Sequence, residues 1–428
     1  MMLVSGIFRP VQSQAVTNYE RDSGREMLRM IKADIQKNYY DSTFHGVDLE
    51  ARFKEADEKI KKATSNGHIF GIIAQTLIDF NDSHLYFLPP PRASTVEYGW
   101  QWQMNGDKCY VMAVKPGSDA EAKGLRPGDI ILSMDGFEPT RENLWKMHYF
   151  YYTLRPKPGI RVVAQSPDGQ PRQLDLMAKI HPGKKVVDFT QGNAQDWVFY
   201  QLEAQSEARL HRHRFYEQDD VVIWKMPGFD IYDQDKVDEK MAQARKGKAL
   251  ILDLRGNGGG YVTMLRRMLG YFFDRDVKIA DVKYRKEVKQ EVAKTRGGNV
   301  FKGKLVVLID GESGSAAEIF ARVIQLEKRG TVIGDRSAGA VMQSLVYSHD
   351  VGLEIVTTYG ASVTDADVIL TDGKSLEVIG VTPDELVLPT GADIAAQRDP
   401  VLARAAALVG LKLDPEKAGA LFPIEWRK

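Results

Sequence analysis

Four short segments of the chain carry groups that could do covalent chemistry. The run Asp310-Gly311-Glu312-Ser313-Gly314-Ser315-Ala316-Ala317-Glu318 puts a hydroxyl at the start of a helix. N–H groups there lack helical partners and face the positive end of the dipole, which favours negative charge developing on a carbonyl oxygen. Ser315 and Glu318 also have the spacing of a capping box, a purely structural device. The run Asp253-Leu254-Arg255-Gly256-Asn257-Gly258-Gly259-Gly260 lies between a strand and a helix. Its glycines let N–H groups approach a phosphate or an acyl oxyanion closely, or simply make a tight turn. Phosphate motifs fit badly. Tyr261 stands where a dinucleotide fingerprint needs its third glycine, and no lysine followed by serine or threonine closes a Walker loop. Asn81-Asp82-Ser83-His84 ends a helix and offers either a general base or an ordinary histidine. Asp372 to Asp384 contains Glu377, a carboxylate able to orient an imidazole or an exposed side chain of a hairpin.

The elements that must position these groups fall into blocks. Apolar residues at helical spacing predict helices over 19–40 (Leu28, Ile31, Ile35), 48–65 (Leu49, Phe53, Ala56, Ile60) and 70–80, before Pro89-Pro90-Pro91. Residues 97–180 read as short strands separated by turns such as Arg126-Pro127-Gly128-Asp129 and Lys157-Pro158-Gly159, with a short helix at Asp119–Ala122. From about 216 onward strands (Val221–Trp224, Ala249–Leu252, Leu305–Ile309, Thr331–Ile333) alternate with helices (232–246, 262–273, 316–328), which predicts an α/β layered domain. The expected division is a helical unit over 1–92, a mostly-β module over 93–181, a linker over 182–215 and an α/β domain over 216–428.

Lysine plus arginine and aspartate plus glutamate number 58 each among 428 residues, so charge gives no reason to expect a nucleic-acid or anionic-membrane partner. No apolar run reaches the roughly 18 residues of a spanning helix. Ser13-Gln14-Ala15 resembles the tail of a clipped secretion signal. The single cysteine, Cys109, excludes an internal disulfide and a cysteine-built zinc site, and reads as a buried strand residue.

Taken together and in order, the four segments resemble the S41 family of serine peptidases, the carboxy-terminal processing proteases and tricorn-like enzymes. Asp253–Gly260 matches the family's aspartate-leucine-arginine-x-asparagine-x-glycine-glycine loop. Ser313–Glu318 matches its serine-rich turn, and Gly380–Asp384 its glycine-valine-x-proline-aspartate element. The β module is similar to a PDZ domain, through Gly124-Leu125-Arg126-Pro127-Gly128-Asp129. Such modules add an extended peptide as a strand and cradle its terminal carboxylate. The resemblance implies a ClpP/crotonase-like catalytic domain with an inserted PDZ domain, with Gly124, Leu125, Gly128 and Asp129 binding peptide.

One departure narrows the assignment. The processing proteases carry a base lysine 25 residues after the serine, where this chain has Ala340. The tricorn-like branch instead resembles a triad of serine, histidine and glutamate. That resemblance assigns Ser315 as nucleophile, His84 as base and Glu377 as orienting carboxylate, with Ser83 bridging. Backbone N–H groups of Gly259 and Ala316 would form the oxyanion hole. Ala316 stands where the tricorn protein has an aspartate favouring basic substrates, so that preference is not expected. The implied function is a serine endopeptidase acting on unfolded or tail-exposed polypeptides, without metal or cofactor, in a periplasmic or secreted location. The alternative is a non-catalytic ligand binder of the same fold, or a PDZ scaffold without peptidase activity.

Overall fold

The computed structural model describes residues 16–92, 94–167, 169–182, 212–352 and 356–426. The predicted linker lies almost wholly outside the described residues, as does Ser13-Gln14-Ala15. Three helices open the chain: α1 (Asn18–Asn38), α2 (Leu49–Lys61) and α3 (Asn66–Ile78). Thr17 and Glu20 form a capping box at the start of α1, and Met27, Leu28, Ile31 and Ile35 make its buried stripe. The chain then enters β1 (Tyr86–Leu88).

Next come β2 (Ser94–Glu97), β3 (Trp100–Asn105), β4 (Lys108–Val114), α4 (Asp119–Ala122), β5 (Ile130–Met134), α5 (Leu144–His148), β6 (Gly159–Gln165), β7 (Arg172–Met177) and β8 (Lys179–Pro182). Strands β3 to β7 form an antiparallel sheet in chain order, and β2 pairs with β8 beside it. Trp100, Trp102, Cys109, Val111, Ile131 and Val162 fill the core of this module.

The remaining chain supplies β9 (Arg214–Gln218), β10 (Val221–Lys225), α6 (Gln234–Ala244), β11 (Ala249–Asp253), α7 (Val262–Gly270), β12 (Val277–Tyr284), β13 (Val288–Ala293), β14 (Lys304–Ile309), α8 (Ala316–Leu326), β15 (Thr331–Gly334), β16 (Met342–Val351), β17 (Thr357–Leu370), β18 (Glu385–Leu386), α9 (Gly391–Ala395), α10 (Pro400–Leu408) and α11 (Pro415–Leu421). One sheet runs β18-β15-β14-β11-β10-β9, parallel except for the β9–β10 pair. Its inner strands β10, β11, β14 and β15 are buried on both faces, as parallel strands between layers must be. Val222, Trp224, Leu250, Leu252, Val307 and Ile309 pack with α6, α7, α8 and β12. Val221, Ile223, Ile251, Val306 and Leu308 pack against α10 and α11.

A second, antiparallel sheet joins β1, β12, β13, β16 and β17. Along β17, β16 takes one edge, while β1 (against Gly360 to Ser362) and β12 (against Ala366 to Leu370) share the other. Tyr359, Ala361 and Val363 of β17 are buried with α1, α2 and α3. The three opening helices therefore share their core with a strand near the far end of the chain.

The five-stranded module is docked onto the parallel sheet. Arg141 forms a buried ion pair with Asp335 and donates to the carbonyl oxygens of Gly106 (2.8 Å) and Arg336 (3.1 Å). Gln103 Nε2 donates to Asp310 Oδ2 at 2.7 Å, and Asn105 Nδ2 to the Pro389 carbonyl at 2.6 Å. No helix among the described residues is long and apolar enough to cross a membrane.

Candidate active site

The nucleophile candidate stands where β14 turns into α8. Ser315 has φ 52° and ψ −119°. An N-cap normally takes extended backbone, and a non-glycine residue at positive φ is strained. Capping-box geometry with Glu318 is nevertheless present, and the Ser315 N–H donates to Glu318 Oε2 at 2.9 Å. Glu318 is fully buried and also accepts from Ser337 Oγ (2.6 Å), Gly339 N (2.8 Å) and Ala340 N (2.9 Å). Burial pushes its carboxyl up to about 7 against the pull of these donors. The helix start is thus lashed to residues 337–340.

His84 is delivered by a helix end and a docking strand. After α3, Asn81 turns the chain at φ 52°, and β1 then pairs with β17. His84 Nδ1 lies 2.8 Å from Ser83 Oγ, and the Ser83 hydroxyl donates to Glu377 Oε2 at 2.9 Å. The hydroxyl has one proton and gives it to the carboxylate, so Nδ1–H must be the donor to Ser83. Nε2 then keeps its lone pair and is free to accept a proton. Burial holds the imidazole below its usual pKa, with Asp82 pulling the other way. Among the described residues no hydrogen bond joins His84 to Ser315.

Glu377 does not sit exposed in a hairpin, as the isolated segment suggested. Besides the Ser83 hydroxyl it accepts the N–H groups of Ser83 (2.9 Å) and Val341 (2.8 Å). Burial raises its pKa while these donors oppose the rise. The Ala340–Val341 peptide unit has two partners. Its N–H bonds Glu377, and its carbonyl accepts the Ser315 N–H at 2.9 Å. Ser315 and the Glu377–Ser83–His84 relay are therefore fixed to opposite sides of one planar group.

The glycine loop packs against Ser315. A Cβ on Gly259, whose φ is 99°, would lie 2.5 Å from Ser315 Cβ and 2.9 Å from the Ala316 nitrogen, so only glycine fits. The expected pair of oxyanion donors is half available. The Ala316 N–H has no partner among the described residues. The Gly259 N–H is taken by Asn257 Oδ1 at 2.9 Å, while Asn257 Nδ2 donates to the Met226 carbonyl at 3.0 Å. Asn257 is fully buried, and its amide is satisfied by the turn on one side and by Met226, after β10, on the other. Asp253 and Arg255, given no role from sequence, brace the loop. Arg255 bonds both Asp253 (2.8 Å) and Asp399 (2.7 Å), and its charge holds the buried Asp253 far below the usual carboxylate range.

The residues expected to cradle a peptide carboxylate are differently employed. The N–H groups of Gly124, Leu125, Gly128 and Asp129 all bond carbonyls within the module. Asp129 pairs with Arg172 and accepts from Ser166 Oγ and the Arg126 N–H. Leu125 is core, and a Cβ on Gly128 would overlap the Gly391 carbonyl, so this loop seats the module on α9.

Comparison with known proteins bears on the same region. Residues 220–387 match the family model described as Peptidase family S41. A tail-specific protease of Haemophilus influenzae is 25% identical over 281 residues, covering 61% of this chain and 37% of its own length. A tricorn protease homolog of Streptomyces coelicolor is 24% identical over 87% of this chain and 31% of its own. The chain thus spans about a third of the length of these two curated relatives. A chloroplastic C-terminal processing peptidase of Tetradesmus obliquus is 25% identical over 88% of this chain and 80% of its own. Among solved structures, mature CPAF complexed with lactacystin aligns with a TM-score of 0.64 at 15% identity, covering 88% of this chain and 95% of that one. The photosystem II D1 C-terminal processing protease gives 0.53 at 19% identity, covering 95% and 100%. These two likenesses concern the fold. Residues 220–387 are thus similar to the peptidases of family S41, and these curated relatives are named as proteases or peptidases.

Proposed function

We propose that the chain is a serine endopeptidase that cleaves unfolded or tail-exposed polypeptides, with Ser315 as nucleophile, His84 as general base, and Glu377 acting through Ser83 to orient the imidazole. The observation that carries this reading is the relay His84 Nδ1–Ser83 Oγ–Glu377, joined through the Ala340–Val341 peptide to a strained serine at a helix start. His84 Nε2 takes the Ser315 proton as Oγ bonds the substrate carbonyl carbon. The tetrahedral intermediate collapses by breaking the C–N bond, and the imidazolium protonates the departing amine. Water then releases the acyl group from Ser315 by the same steps. The Ala316 N–H supplies one oxyanion donor, worth roughly 3–4 kcal/mol in the transition state. Gly259 supplies the second when Asn257 Oδ1 lets its N–H go. Ala340 in place of a lysine agrees with a histidine as the base. Catalytic hydrogen bonds commonly tighten only once substrate is bound, which accommodates the missing His84–Ser315 bond.

We read the layered core as ClpP/crotonase-like and the five-stranded module as PDZ-like. Strands β3 and β7 are the two edges of its sheet; β3 lies against the docking contacts with Asp310 and Pro389, so an added peptide strand would use a sheet edge rather than the Gly124–Asp129 loop. By the same reading the enzyme works in a periplasmic or secreted location.

The test is cleavage of unfolded casein together with labelling by a fluorophosphonate. Wild-type protein is expected to cleave and to be labelled at Ser315, and Ser315→Ala to do neither. Intact casein and no labelling in the wild type would favour the non-catalytic binder or scaffold instead.

A further inference from the structure

We propose that Asp82 is a positioning residue for His84, a buried anion that clamps the histidine's main chain and lends its charge to the imidazolium formed in turnover. The inference rests on the peptidase reading. Asp82 is 1% exposed. Its Oδ1 accepts the His84 N–H at 2.9 Å and Thr364 Oγ1 at 2.8 Å, and its Oδ2 accepts the Tyr39 hydroxyl at 2.9 Å. The donors come from three places: the histidine segment itself, β17 and the end of α1. All three are neutral, and no lysine, arginine or histidine forms an ion pair with Asp82 among the described residues. A buried carboxylate without a cation is costly, and asparagine would fill the same space and keep one acceptor oxygen. What asparagine lacks is the negative charge, and the group beside Asp82 that becomes positive in the reaction is His84.

Other titratable groups stand around the pair. Glu377 faces His84 through Ser83. Tyr39, Tyr40, Asp41 and His45 close the end of α1, with Tyr40 hydroxyl 2.7 Å from His45 Nε2. Asp367 of β17 accepts from Ser375 Oγ. Burial and the neighbouring Asp82 drive the Tyr39 phenol far above its ordinary range, so it remains a proton donor to the carboxylate. Asp82 raises the basicity of His84 against the desolvation that lowers it. Glu377 orients the ring through its Nδ1 side, whereas Asp82 holds the backbone from which the ring hangs. The two carboxylates therefore do different work.

The experiment compares the pH profile of kcat/KM on unfolded casein for wild type, Asp82→Asn and Glu377→Gln. Asp82→Asn is expected to lower kcat by about 10- to 100-fold with KM little changed. It should also move the acidic limb to lower pH, because removing a nearby anion lowers the imidazole pKa. Where Asp82→Asn does not fold, Tyr39→Phe serves. It leaves the carboxylate less neutralised, so the acidic limb should move to higher pH. An acidic limb unmoved in the folded variants would overturn the inference, even if the rate fell. A wild type that neither cleaves nor labels would overturn the peptidase reading itself, which separates the two failures.

Discussion

At the scale of single residues, the site depends on one imidazole reaching its neutral form with Nε2 bare. His84→Ala should reduce casein turnover to background while leaving the thermal melting curve in place, because its ring bonds only Ser83 among the described residues. Glu377→Gln keeps the volume but lets the amide donate where the carboxylate accepted, so the Ser83 bridge and the Nδ1–H tautomer are lost. A fall in kcat of about 100-fold or more follows, measured under saturating substrate. Burial depresses the His84 pKa below 6.5, so the neutral base persists into mildly acid solution. The acidic limb of the wild-type kcat/KM profile should accordingly lie below that value, and a limb well above it would contradict the assignment. The residue types of this arrangement were legible in Ser83, His84, Ser315 and Glu377. The occupation of the Gly259 N–H was not, because it depends on the rotamer of a buried asparagine two residues earlier.

At the scale of elements, the glycine loop and the start of α8 meet too closely for any side chain between them. Gly259→Ala combines a Cβ at 2.5 Å from Ser315 Cβ with an unfavourable φ, and should cost about 1–3 kcal/mol together with most of the activity. Denaturant midpoints and turnover measure the two effects separately. Arg255→Ala strips the buried Asp253 of its closest cation and should destabilise by about 3–5 kcal/mol. Helices α1–α3 and α6–α8 and strands β10, β11, β14 and β15 lie where apolar periodicity expected them, and the short helix Asp119–Ala122 has the bounds expected of it, whereas α5, α9, α10 and α11 were not foreseen. The antiparallel sheet of β12, β13, β16 and β17 was not foreseen. Strand β13 is exposed over its first three residues, and β16 alternates little, so neither carries the period that marks a half-buried strand.

At the scale of the whole molecule, long-range packing decides what the local patterns leave open. The opening helices look self-sufficient in sequence, yet their core is completed by Tyr359, Ala361 and Val363. No local pattern could announce that partnership, since it joins opposite ends of the chain. Docking of the five-stranded module sets an acid, Glu312, beside Cys109 and Tyr152. Desolvation and the neighbouring Asp310 push Glu312 up to about 8, with Lys225 opposing. Its folded pKa exceeds the ordinary 4.5, so its contribution to stability is complete below that pH and fades as pH rises toward 8. Glu312→Gln should raise the melting temperature by a few degrees at pH 8 and change it little at pH 4, as calorimetry at the two values would register. The tie between Ser315 and Glu377 has a different sensitivity. Its middle link is the Ala340–Val341 peptide, so the side chain at 340 does not enter it, while Val341 is fully buried in the core and is constrained by packing. Proline at 341 would remove the N–H that Glu377 accepts, leaving main-chain bonds such as Val378 N–H to the Gly339 carbonyl to hold the two segments together without that orienting contact.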